Sequence, residues 1–192
     1  YHVTQATASH QPSLVPASTA FNYNPSLSFS GTDQLEYKAG RFMTATSSGT
    51  MFGAASNTLD GGYENLGDIG IDNPHMGTLT NQQIMWMNTS SPVRIDHPTL
   101  LTKDKTHLLG YFWNGGTPNV GSGLRQDGVE YYNATTEATG VGNSGVVDGM
   151  WTIGGYQYVE NWHGNIAEII LYDRNLTSTE KDKVETYMAV KY

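Results

Sequence analysis

Apolar and polar positions alternate along most of this chain with the two-residue period of a strand, and only its last stretch changes to a helical period. Leu27 and Phe29, then Leu35 and Tyr37, predict two short strands around the turn Ser30-Gly31-Thr32-Asp33. Residues 42–46 alternate weakly, and 50–54 form a short apolar piece. From 66 to 72 the alternation is clean. Gly67, Ile69 and Ile71 fall on one face, and Leu66, Asp68, Gly70 and Asp72 on the other, which predicts a half-buried strand whose open face carries two carboxylates. Residues 84–87 and 94–96 are further strand candidates. The run 106–113 is rich in β-formers, and 124–126 and 129–132 flank Asp127-Gly128, a strong signal for a two-residue hairpin turn. Residues 150–154 predict a short strand. Residues 164–173, apolar on both faces except at Glu168, predict a central one. Residues 1–26 are polar and punctuated by Pro12, Pro16 and Pro25, and read as an extended arm.

The helical period begins at Thr177-Ser178-Thr179-Glu180, a capping box in which the N-cap hydroxyl and Glu180 each satisfy an orphan N–H. A helix over about 178–190 puts Val184, Tyr187, Met188 and Lys191 on one face. Lys181, Asp182, Lys183 and Glu185 then face water, and the helix is expected to pack on an edge of the sandwich. Together these elements predict an all-β chain: an antiparallel β-sandwich with one short C-terminal helix, residues 1–192 forming a single domain.

Composition narrows the function classes. Charged residues make up only 15%, and Gly (22) and Tyr (12) are abundant, which suits turns and strands and excludes coiled coils and helical bundles. Cysteine is absent, so disulfides, thiolate zinc sites and Cys nucleophiles are excluded. No apolar run is long enough for a transmembrane helix. The net charge of −8 disfavours nucleic acid. Its distribution is uneven. No basic residue lies between Arg41 and Arg94, where Asp60, Glu64, Asp68 and Asp72 fall, and none lies between Arg125 and Arg174. Such stretches are either solvated acidic surface or oxygen ligands for a hard cation.

Three segments resemble a known family. They are Met150-Trp151-Thr152-Ile153-Gly154-Gly155, the run from Trp162-His163-Gly164-Asn165-Ile166-Ala167-Glu168 through Tyr172-Asp173-Arg174-Asn175-Leu176-Thr177, and the helix that follows. Together they are similar to the C-terminal signature of concanavalin A-like, or laminin G-like, jelly-roll domains. Upstream, Gln5-Ala6-Thr7 with Gln11-Pro12, and Asn24-Pro25-Ser26-Leu27-Ser28-Phe29-Ser30-Gly31-Thr32-Asp33, match the same pattern. The resemblance covers nearly the whole chain and is weakest from 55 to 100. It is nearest to the jelly-roll domains of large secreted or cell-surface proteins of Bacteroidetes-type bacteria, and implies a piece of a longer multidomain protein. Ser30 and Asn165 stand where the family often has Asp, so no calcium ligand is implied at those positions.

Catalysis is not supported by the motifs. Glycosidases on this fold place two carboxylates close together on one strand face. Asp68 and Asp72, at i and i+4, would lie about 13 Å apart at about 3.3 Å per residue, and Glu168 stands alone in its strand. The six histidines show no metal-binding spacing. His163 is expected to pack or cap a loop, Trp151 to enter the core, Trp162 the core or its rim, and Glu168 to cap the terminal region or to pair with Arg174 or Arg125. The remaining chemistry is aromatic. Sugars stack their C–H faces on Trp and Tyr beside Asn and Asp. Trp113 and Asn114, ending a strand at a Gly-rich loop, and the loop tyrosines Tyr63, Tyr156 and Tyr158 are the candidate ligand-binding residues, with a core or edge-packing role as the alternative for each aromatic. Asp60, Asp68 and Asp72 are candidate calcium ligands. The expected function is a non-catalytic recognition module, secreted or on a bacterial surface, that binds carbohydrate or mediates adhesion to a glycan or surface protein. The alternatives are a structural or protein-interaction spacer and, third, a glycan-active enzyme.

Overall fold

The computed structural model describes residues 3–37, 48–58, 61–69, 74–87, 93–114, 121–132, 151–155 and 160–192. Among these residues two antiparallel sheets form a sandwich. The first has seven strands, in the order β1 (Ser13–Val15), β2 (Ser26–Ser30), β13 (His163–Tyr172), β4 (Gly49–Asn57), β9 (His107–Trp113), β10 (Gly123–Gln126) and β11 (Val129–Tyr132). The second has six, in the order β3 (Leu35–Tyr37), β12 (Trp151–Ile153), β5 (Tyr63–Ile69), β6 (His75–Leu79), β7 (Gln82–Met87) and β8 (Val93–Leu100). One helix, α1 (Ser178–Lys191), follows β13. This is the all-β sandwich with a C-terminal helix that the periodicity predicts.

Between the sheets lies a core built from Met51, Leu109, Tyr111, Trp113, Leu124 and Ile166 on one side and Leu66, Met76, Met85 and Ile95 on the other. Trp162 joins it, its indole N–H donating to the Ser56 carbonyl at 3.2 Å. β13 sits inside the first sheet between β2 and β4, as its two apolar faces require. β4 is buried along its whole length because it too is covered twice. Its outer face, with Phe52 and Ala54, packs against Met188 and Val184 of the helix and against Leu176. The turn at Asp127-Gly128 takes positive φ at both positions (48° and 87°), the conformation a two-residue hairpin requires.

The helix itself corrects the sequence reading twice. It lies against the outer face of the seven-stranded sheet rather than on an edge. Lys181 and Glu185 are buried, while Tyr187, expected on the buried face, is about half exposed. The reason is Arg125 in β10, only 7% exposed. Its Nη2 binds Asp182, and its Nε lies 3.0 Å from Glu185. Lys181 stands 3.4 Å from the centre of the Phe112 ring and 3.1 Å from Glu130 of β11. The capping box forms as predicted, and Arg174 holds Glu180 bidentately. Of the alternatives for Glu168, the structure follows the one that ties it to the terminal region, and it pairs with neither arginine. It binds Lys191 at 3.2 Å and accepts from the Tyr187 hydroxyl at 3.2 Å.

The N-terminal arm contains β1, paired with β2, and β6 appears where the alternation pattern predicts no strand. The weak strand at 42–46 lies outside the described residues.

Candidate functional site

The site grows from an irregularity in β5. Its ladder to β6 runs Asn65↔Gly77 and then Gly67↔Met76, so Leu66 is an extra residue, a β-bulge. The bulge changes the phase of the strand. Leu66 and Gly67 both face the other sheet, Leu66 in the core and Gly67 against Met51. Tyr63, Asn65 and Asp68 therefore share the outer face, and the grouping of Leu66 with Asp68 expected from strict alternation is corrected. Asp68 is not on an open face either, being 1% exposed.

Register then carries the site across the sheet. One row runs Glu36↔Thr152↔Asp68↔His75↔Trp86↔Arg94 from β3 to β8, polar at every position but one. His75 is the hub. Its Nδ1 lies 3.2 Å from Asp68 Oδ2 and 3.2 Å from Asn65 Nδ2, the two residues that the bulge brings to the same face. At the outer strand, Arg94 and Asp96 pair along one guanidinium edge, through Nε and Nη2 at 2.6 and 2.7 Å. Arg94 is the open end of the row, with its side chain 39% exposed. Tyr63 lies near Glu160 and Asp68. Burial above all, and then these two negative charges, push its hydroxyl well above the usual phenol range. Burial also raises the Glu160 carboxyl. The result is a face of hydroxyl, amide, carboxylate, imidazole and guanidinium groups, closed near β5 and accessible toward β8.

Of the predicted residues, the structure brings together Tyr63 and Asp68. Trp113 is a correction. It is 2% exposed and faces the core, and Gly49 opposite it leaves room for the indole, since a Cβ there would lie 2.1 Å from the ring. A ring so enclosed has no face for a sugar. Asn114, half-buried, braces a loop: its N–H donates to Ser122 Oγ, and its Oδ1 accepts from Asn175. Tyr156, Tyr158, Asp60 and Asp72 lie outside the described residues. Asp68, the one described calcium candidate, is held by His75, and among the described residues no three His, Asp or Glu side chains converge on a metal position. The described residues therefore do not make an oxygen cage for calcium. Asn65, His75, Arg94 and Asp96 were not singled out in the sequence. The signal that joins them is strand register, which needs β6 and the bulge to be known.

No family model matches the chain, and no curated protein matches it by sequence. Solved structures do match its fold. The chain is similar to the binding domain of botulinum neurotoxin DC in complex with rat synaptotagmin II, at a TM-score of 0.64 and 11% identity, covering 93% of this chain and 46% of that one. It is similar to the native heptameric SAP-like pentraxin of Limulus polyphemus, at a TM-score of 0.59 and 15% identity, covering 84% and 82%. It also matches a Trypanosoma rangeli sialidase in complex with sialic acid, at a TM-score of 0.61 and 12% identity, covering 83% of this chain. The chain spans only 27% of that sialidase. At these identities the likeness is one of fold: a β-sandwich of the jelly-roll type, shared with several binding domains.

Proposed function

We propose that this domain is a non-catalytic recognition module that binds carbohydrate through the outer face of its six-stranded sheet. The observation that carries the reading is the polar outer face, where the partly exposed His75, Arg94 and Asp96, with Tyr63 beside them, offer donors and acceptors at fixed strand spacings, and the buried Asn65 and Asp68 each lie 3.2 Å from His75. Sugar hydroxyls are recognised by such fixed polar groups next to an aromatic ring. The binding-domain and pentraxin neighbours support a recognition role. The resemblance to concanavalin A-like domains of Bacteroidetes-type bacteria supports a secreted or cell-surface setting in a larger polypeptide. A second reading, a protein-binding module, is favoured by the toxin domain seen in complex with synaptotagmin II.

A glycan array on the folded domain tests this, with Arg94→Ala and Asn65→Ala as variants. Saturable binding to a defined glycan, weakened at least tenfold by Arg94→Ala, is the expected result. A folded domain with no glycan binding at millimolar sugar would overturn the carbohydrate reading and leave the protein-binding one.

A further inference from the structure

We infer that Glu64, packed against His163, forms a proton-holding clamp at one end of the sandwich, closed while the Glu64 carboxyl keeps its proton and loosened when that proton is lost. Glu64 precedes Asn65 in β5 but points the other way, between the sheets. Its side chain is 2% exposed. Oε2 accepts from Asn57 Nδ2 at 3.2 Å, and Oε1 lies 3.2 Å from His163 Nδ1. That nitrogen is also 3.1 Å from the Asn161 carbonyl oxygen. A carbonyl only accepts, so Nδ1 carries a hydrogen.

Nε2 packs over the turn at Gly31, where an added Cβ would lie 1.8 Å from it. The ring therefore joins three chain segments. Gly31 N–H donates to the Trp162 carbonyl, Asn161 Nδ2 donates to the Gly31 carbonyl, and Thr58 donates to the His163 carbonyl through both N–H and hydroxyl. A carboxylate stripped of its proton in this interior keeps the Asn57 amide but loses much of its hydration. Burial raises the Glu64 carboxyl to about 8, against the lowering effect of its hydrogen bonds from Asn57 and Thr78.

The acidic groups on neighbouring described elements do not relieve an ionised Glu64. Asp33 sits on the Gly31 turn and accepts from Ser30 N–H. Asp104 donates its N–H to the Asn57 carbonyl, and Glu160 accepts through its carbonyl from Asn65 N–H. On the far face of β5, Asp68 is paired with His75. The sign follows. A carboxyl whose folded value is raised from 4.5 to about 8 contributes its full stability below pH 4.5 and loses it as pH rises through about 8.

Hydrogen exchange of the wild-type domain between pH 6 and 9, corrected for the intrinsic pH dependence of exchange, tests the clamp. Amide protection at Gly31, Thr58 and Asn65 is expected to fall at least tenfold across the range. Glu64→Gln, which mimics the protonated acid, should keep its protection throughout. Identical pH profiles for the wild type and Glu64→Gln would overturn the inference. Should Glu64→Gln fail to fold, titration of carboxyl-labelled glutamates in the wild-type protein decides. One carboxyl titrating near 8 supports the clamp, and all of them titrating in the ordinary carboxylate range refute it.

Discussion

At the residue scale, neighbouring positions in one strand have opposite assignments. Glu64 and Asn65 are adjacent, yet one is sealed between the sheets beside His163 and the other joins the outward polar row. Composition marks both as polar; only the strand geometry separates them. Trp113 shows the converse error. A tryptophan before a Gly-rich loop looks like an exposed platform, but Gly49 on the neighbouring strand opens a slot that draws the ring inward. Trp113→Ala is therefore expected to act on stability. Removing a buried aromatic side chain costs about 3–5 kcal/mol, which a denaturant melt would show as a large fall in midpoint. Loss of ligand binding with an unchanged midpoint would contradict the buried assignment. The pairing Gly49↔Trp113 is a long-range contact, and that is why the sequence could not signal it.

At the scale of elements, local signals were legible and tertiary ones were not. The hairpin at Asp127-Gly128 and the capping box at Thr177 and Glu180 are written in a few adjacent residues, and both form. The bulge in β5 and the strand β6 are not, because a Gly-interrupted run such as His75–Leu79 becomes a strand only through its neighbours. Helix α1 likewise followed its capping signal but not its expected face, since the buried guanidinium of Arg125 recruits Asp182 and Glu185. Breaking a buried ion pair by removing one partner costs about 3–5 kcal/mol, so Arg125→Met should destabilise the domain strongly. The double variant Arg125→Met with Glu185→Leu should recover part of that loss, and chemical denaturation of the three proteins checks both. The helix start has its own pH limit. Hydrogen bonds from Arg174, and then from the Thr177 backbone and hydroxyl, lower the Glu180 carboxyl from 4.5 to about 2. The support it gives the helix is present above pH 4.5 and is lost as pH falls through about 2. Far-ultraviolet circular dichroism over that range should show the helical signal fraying in the wild type. Glu180→Gln should begin weaker and change less.

For the whole molecule, the fold was readable and the site only half so. Alternation, turn residues and the terminal helix were enough for a two-sheet sandwich, because each strand needs to reveal only which face is apolar. A site on a sheet face depends on register between strands far apart in sequence, and β3, β12, β5, β6, β7 and β8 span residues 35 to 153. Tyr63 was singled out as a ligand-binding candidate and Asp68 as a calcium ligand, whereas the row that gives Asp68 its partners was not legible. The calcium expectation belongs at this scale as well. With Asp68 already engaged by His75, the midpoint of thermal unfolding is expected to be the same in calcium and in EDTA. A site that binds would stabilise the domain by about 2.7 kcal/mol at a hundredfold excess of calcium over its dissociation constant. A rise of that size would show that further ligands complete a cage around Asp68.

The methionines of the two apolar clusters offer a way to watch these parts separately. Met51, Met76 and Met85 are enclosed between the sheets, and Met188 is enclosed between helix and sheet. Isotope placed only in the methionine methyl groups would give sharp resonances from both regions in one spectrum. Salt or acid that lifts the helix while the sandwich stays folded would move the Met188 signal alone. Concerted movement of all four would mean that the helix and the two sheets melt as one cooperative unit.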